Sequence, residues 1–192
     1  HNTPRAAARN RGHIYSYYTL PICIALPGIP VIHGGFELCE TQPINTGLGF
    51  SPDMLANYPP ETLPLFSEYA FDWCGKHNIV EGVRYALELR QRYEELLSAN
   101  DPHSWVIGIA DNPALLVFTR KNSDFSLTFI LNTDMRRHQG GRVLINGHWH
   151  RTQGVWGTPD IMQVHHGLAL NVHLSPGYVL VLEGDDLPLN GD

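Results

Sequence analysis

LPGIPVIHGGFELCE, residues 26–40, is the stretch whose reading decides the fold. Pro27-Gly28 is a turn dipeptide. Ile29, Val31 and Ile32 are β-branched around Pro30, and the run is apolar without alternation. Such a run suits a short strand covered on both faces, as in a parallel sheet. Gly34-Gly35 lets backbone or ligand approach closely just past the strand end. Glu37 and Glu40 follow, at the rim where a parallel barrel carries its working groups. The competing reading of both glutamates is a solvated loop, where most charged side chains reside.

Upstream, Thr3-Pro4 makes a helix start: an oxygen-bearing cap, then proline at the first helical position. Residues 5–9, RAAAR, are helix-prone. Gly12 interrupts, and residues 14–26 resume as an apolar helix that Pro21 kinks by removing a hydrogen bond. Helix followed by buried strand is half of a βαβ unit. Downstream, residues 33–77 are rich in proline, glycine and asparagine and show no clean period. So long a connection is usually functional, here a substrate-cleft loop, with short helical turns near 53–56 and 61–66. Trp73 in Phe71-Asp72-Trp73 is read as a core plug, because large aromatic side chains are mostly buried. Residues 78–98 carry an apolar stripe at helical spacing, with Asn78 and Glu81 placed as a capping box.

From Ser104 the pattern changes. Strands are expected at 105–110, 115–120, 126–132, 141–145, 162–164, 168–174 and 178–183. Turn signals such as Asp111-Asn112-Pro113, Asn146-Gly147 and Ser175-Pro176-Gly177 separate them. Short strands at this spacing indicate an antiparallel sandwich.

PGIPVIHGGFE, residues 27–37, resembles the last barrel strand and following loop of the α-amylase family (glycoside hydrolase family 13), commonly PGxPxxYxGxE. His1-Asn2-Thr3-Pro4-Arg5 resembles the fourth conserved region of that family. The segment 175–183 is similar to the usual last strand of the domain behind its barrel. The resemblance covers nearly the whole chain and is specific in the first two places. It implies an α/β plus all-β chain: the C-terminal segment of a (β/α)8 barrel over residues 1–102, with the last helices and the eighth strand, then an antiparallel β-sandwich domain over 103–192. It implies a retaining enzyme acting on an α-glucan or maltooligosaccharide at α-1,4 linkages, or a maltosyltransferase or glucanotransferase of the same family.

Site residues follow from the same resemblance. His1 takes the place of the substrate-binding histidine. Asn2 takes the place of the transition-state-stabilising aspartate, and a neutral amide cannot compensate developing positive charge as a carboxylate does. An engineered inactivation, a drifted site and a differently registered motif each account for Asn2. Arg5 orients a carboxylate by paired hydrogen bonds or is an exposed helix-start residue. Arg5, His33 and Glu37 are read as substrate-binding, and Glu40 as lining or bracing the loop. The nucleophile and the acid of a retaining site stand about 5–5.5 Å apart, and in this family both lie on strands that precede His1. The isolated chain is therefore expected to be inactive, and its N-terminal third to pack on the missing part of the barrel or on a partner chain.

Composition bounds the alternatives. A chain of 192 residues holds one large domain or two small ones, and 43% hydrophobic with 17% charged residues marks it as globular. The net charge of −6 and the lack of a Lys/Arg cluster argue against nucleic acid. No apolar run is long enough to span a bilayer. Three cysteines in dissimilar contexts read as free thiols and lean weakly to a cytoplasmic setting. No cofactor is evident; calcium occurs in many relatives, but no dedicated oxygen cage is visible here. A second class of function is a non-catalytic β-sandwich module. It would bind metal through His148 and His150 with His165, His166 or His173, or sugar through Trp149 and Trp156.

Overall fold

A computed structural model of the chain describes residues 3–9, 11–65, 71–124, 126–144 and 169–184, with the backbone alone of 153–156 and 161–165. The chain divides into two units, residues 1–20 with 31–86 and residues 21–30 with 87–192.

In the first unit, Ala6–Ala8 form a single 3-10 turn rather than a longer helix. Arg11 and Gly12 then take positive φ, 74° and 47°. This left-handed pair is unfavourable within a helix and marks the boundary expected at Gly12. Helix α1 (His13–Ala25) starts immediately after, with Pro21 inside it as the sequence indicates. Helix α2 (Pro52–Ala56) is capped by Ser51, whose hydroxyl accepts from Met54 N at 3.3 Å, and a further 3-10 turn covers Pro60–Thr62. Helix α3 (Val80–Arg92) begins where Asn78 Oδ1 accepts from Val80 N at 3.4 Å. A Cβ at Gly82 would lie 2.8 Å from Tyr17 Cε2, so α3 carries a glycine where the α1 aromatic crosses it.

Two expectations are corrected here. Residues 29–32 form no strand. Ile29 is 90% and Val31 87% exposed. A parallel strand exists only through the ladders of its neighbours, and every described strand pairs antiparallel elsewhere. Trp73 is 65% exposed and plugs no core.

In the second unit, α4 (Glu94–Ser98) follows α3 after a break at Tyr93, whose φ of −114° and ψ of 33° leave the helical region. The periodicity had indicated one helix over 78–98. Among the described residues, nine strands then build two antiparallel sheets: β1 (Trp105–Ile107), β2 (Ile109–Ala110), β3 (Leu115–Lys121), β4 (Ser126–Asn132), β5 (Gln139–Leu144), β6 (Gln153–Trp156), β7 (Ile161–His165), β8 (Ala169–Leu174) and β9 (Val179–Gly184). One sheet has the order β1-β3-β4-β9-β6 and the other β2-β5-β8-β7. Leu115, Val117, Ile130, Leu180 and Leu182 of the first meet Val143, Leu170, Val172 and Leu174 of the second in one core. That is the antiparallel sandwich expected from the turn spacing, with one strand, β6, that the sequence did not reveal.

Gly108 makes the sandwich continuous. β1 belongs to one sheet and β2 to the other, so the strand expected over 105–110 changes sheets at this glycine. Its N–H donates to Val117 O at 3.0 Å. A Cβ there would stand 2.4 Å from Val117 Cγ1 and 2.9 Å from its Cβ, so no larger residue fits this crossing unshifted.

Two arginines close the helix ends of this unit. Arg120, on β3, is fully buried. Its Nη1 donates to Ala25 O and, at 3.4 Å, to Leu97 O; its Nη2 donates to Leu96 O at 2.7 Å and Ala99 O at 2.8 Å. Arg90, on α3, donates through Nη1 to Ile24 O at 2.6 Å and Leu26 O at 3.2 Å, and through Nη2 to Gly28 O. The last carbonyls of a helix lack intrahelical partners and carry partial negative charge, which suits a cation. Burial depresses both guanidinium pKa values, and for Arg120 the neighbouring Arg90 charge adds to that.

Candidate functional site

Within the first unit, Arg5 organises the loop after residue 33. Its Nε donates to Gln42 O at 2.6 Å and its Nη1 to Gly34 O at 2.9 Å. These two carbonyls stand at the two ends of the turn that contains Phe36 and Glu37. The turn is closed by Phe36 N to His33 O at 3.0 Å and Glu40 N to Gly35 O at 2.9 Å. Both of these bonds go to backbone carbonyls. Arg5 acts as a clamp on the loop.

Gly35 is required by its geometry. Its φ is 84°, and a Cβ would lie 2.8 Å from Phe71 Cε1 and 3.1 Å from the Glu40 Cβ. The Phe71 ring therefore rests on the glycine pair. The sequence signal for this contact was the pair itself, which asks for something close against it. Phe71 was not named by that signal.

Glu40 braces the loop: its Oε1 accepts from Thr41 N and Gln42 N, each at 2.8 Å. Glu37 is held differently. Its carbonyl accepts from Ile79 N at 2.7 Å, and its Oε2 is buried with no hydrogen-bond partner among the described residues. A desolvated carboxylate oxygen normally has a donor, so this atom marks where a polar group is wanted. His33 is exposed, with Nδ1 3.4 Å from Gly34 O. A cavity of ≈ 150 Å³ opens between Arg5, Ala7, Ser16, His33, Phe36 and Glu40. Cys39 stands at φ 54° beside it. Burial raises its thiol pKa, and a hydrogen bond with Ser16 acts the other way.

His1 and Asn2 lie outside the described residues. Of the sequence-derived site, then, Arg5 and His33 share one cavity wall and Glu37 sits in the same turn. Glu40, there considered only as a liner or brace, is also in that wall.

The histidines proposed as metal ligands fall mostly outside the description: His148, His150 and His166 are not described, and His165 is described in backbone alone. His173 stacks on His138, ring centroids 5.5 Å apart at 18°. Among the described residues no group of three His, Cys, Asp or Glu could hold a metal ion. Trp149 is likewise outside, and Trp156 lies at a register shift in β6. Among the described residues no helix is long and apolar enough to cross a membrane. The three cysteines are free.

No family profile matches the chain, and no curated protein matches it in sequence. Solved structures do match. An Anoxybacillus α-amylase superposes with a TM-score of 0.68 at 14% identity, over 98% of this chain and 37% of its own length. An α-amylase from Geobacillus thermoleovorans, complexed with acarbose, gives 0.66 at 16% identity, over 95% of this chain and 37% of its own. The gamma-CGTase of alkalophilic Bacillus clarkii gives 0.67 at 17% identity, over 96% and 25%. The chain spans well under half the length of each of these proteins. Its short helices followed by two antiparallel sheets have the fold of the C-terminal part of α-amylases and related enzymes.

Proposed function

We propose that the chain is the C-terminal part of a retaining α-glucan-active glycoside hydrolase, in which residues 1–102 complete the sugar-facing rim of a (β/α)8 barrel and residues 103–192 form the β-domain behind it. The observation that carries this reading is the superposition on α-amylases across nearly the whole chain. Three features of the first unit agree with it. Arg5 fixes a glycine-tipped loop, Glu37 keeps one carboxylate oxygen buried and unengaged by any described residue, and His33 stands exposed beside both. His1 and Asn2 precede Arg5 by four and three residues and would meet the sugar ring in this reading.

In this reading the nucleophile and the acid/base are carboxylates contributed by polypeptide that precedes His1 or by a partner chain. The exposed Ile29 and Val31 support such a neighbour, since an apolar pair of this kind gains by pairing with a further strand. Asn2 would keep the shape of the stabilising aspartate without its charge. The fold match to a gamma-CGTase favours a second reading, in which the glucosyl group passes to another sugar rather than to water.

The test is to express the chain together with whatever coding sequence precedes its first codon and to supply maltoheptaose. Retention at the anomeric carbon is expected, with free reducing ends for a hydrolase and redistributed oligomers for a transferase. Inversion, or no turnover of maltoheptaose, overturns the reading. Turnover by the isolated 192-residue polypeptide would show that its own residues suffice, against the placing of the catalytic carboxylates elsewhere.

A further inference from the structure

Trp73 is the largest side chain that the first unit leaves in water, at 65% exposure. An indole left out forfeits substantial burial, and tryptophan is enriched at surfaces that meet a partner. The backbone here is ordered by its own bonds. Cys74 N donates to Asp72 Oδ1 at 3.0 Å, Gly75 N to Asp72 O at 3.3 Å, and Trp73 N to Phe71 O at 3.1 Å. Phe71, two residues before the indole, is seated on Gly34 and Gly35. The turn is thereby fastened to the loop that carries His33 and Glu37. Asp72 is exposed, and its Oδ1 is taken by the turn, while Oδ2 faces no donor among the described residues.

We infer that Trp73 is a stacking platform for one glucosyl ring of an α-glucan chain, with the Asp72 carboxylate accepting from that ring's hydroxyls. The inference rests on the α-glucan reading above and adds a contact residue to it. A pyranose has an apolar C–H face and an equator of hydroxyls, which matches an indole face beside a carboxylate oxygen. A neutral ligand suits a chain whose net charge is −6, because no anion would be drawn to this surface. A turn held by three hydrogen bonds presents the ring already fixed, so little conformational freedom is lost when the sugar arrives.

The test is calorimetric titration of the 192-residue chain with maltoheptaose and, separately, with the β-linked cellohexaose. Wild type is expected to bind maltoheptaose and not cellohexaose. Trp73→Ala is expected to weaken maltoheptaose by about tenfold or more, and Trp73→Phe by less, since a smaller ring retains part of the face. The urea midpoint of both variants should match wild type, because the indole supports no core. Equal maltoheptaose affinity in wild type and Trp73→Ala overturns the platform and leaves the α-glucan reading standing. Cellohexaose bound as tightly as maltoheptaose overturns the α-glucan reading and the platform's ligand with it. No binding of maltoheptaose by wild type overturns the platform, while the turnover experiment judges the reading separately.

Discussion

Arg90 and Arg120 donate to adjacent carbonyls, Ile24 O and Ala25 O, at the end of one helix. Two buried cations this close repel each other, and the Arg90 charge adds to burial in lowering the pKa of Arg120. What keeps them is the set of carbonyls they serve. Removing Arg120 would leave Leu96 O, Leu97 O and Ala99 O without this donor in a dry interior, besides opening a cavity. Arg120→Ala is expected to cost about 3–5 kcal/mol in urea denaturation. Arg120→Lys should recover less than half of it, because a point ammonium cannot reach carbonyls on both sides of a planar fork. A loss under about 1 kcal/mol for the alanine variant would contradict the role assigned to this side chain.

Gly108→Ala places a Cβ against Val117 at the sheet crossing. The expected cost is about 1–3 kcal/mol, the usual range for forced overpacking. Val117→Ala removes the colliding methyls, so the double variant should lose less than the two single losses added together. A double-mutant cycle read by urea midpoint checks this, and strict additivity would rule out the steric account.

Asp134 accepts from the backbone N–H of Arg136, the side-chain amide of Gln139 and the backbone N–H of Arg137. The Arg136 bond contributes most to holding its pKa below the ordinary 3.8; burial comes next and opposes it. A carboxyl with a lower pKa in the folded state stabilises above the unfolded value and loses that contribution as pH falls through the folded one. Asp134→Asn should therefore flatten the decline of stability below about pH 4 and leave its slope near neutrality unchanged. Thermal midpoints from pH 2.5 to 7 provide the comparison.

Gly35→Ala forces a side chain onto a backbone at φ 84° and into the Phe71 ring. The expected result is a destabilised first unit with faster amide exchange over residues 34–42, while the amides of β4 and β9 exchange as in wild type. Arg5→Ala should release the same amides with no residue introduced at the glycine. If exchange at Phe36 and Glu40 stays as slow as in wild type, Arg5 is not the clamp.

The legibility of this chain followed its hydrogen bonding. From residue 104 onward turn residues marked several of the connections, and β4 came out at its full length because both of its ends are marked by polar residues. β6 was invisible, since Gln153-Gly-Val-Trp156 offers neither alternation nor a flanking turn dipeptide. The segment 29–32 was misread in the opposite direction. Its β-branched composition is that of a strand, but composition supplies no partner, and no described strand pairs with it. The break at Tyr93 lacked any glycine or proline to signal it. Arg120 sits on a strand whose two faces are both covered, a fact about the sandwich and the helices together that no local pattern carries. At the candidate site, the glycine pair lies in the loop that the sequence singled out, and Arg5 donates to it. That the guanidinium donates to Gly34 O and Gln42 O depends on where Gln42 returns, which lies too far along the chain to be read locally.

The crossing at Gly108 has one more consequence, for how the β-domain comes apart. A single stretch of polypeptide is sewn into both layers, so neither layer can be peeled away while the other stays whole. Loss of either must drag the shared thread with it. Deuterium labelling near the midpoint should then show the two layers converting together, as one mass envelope replacing another.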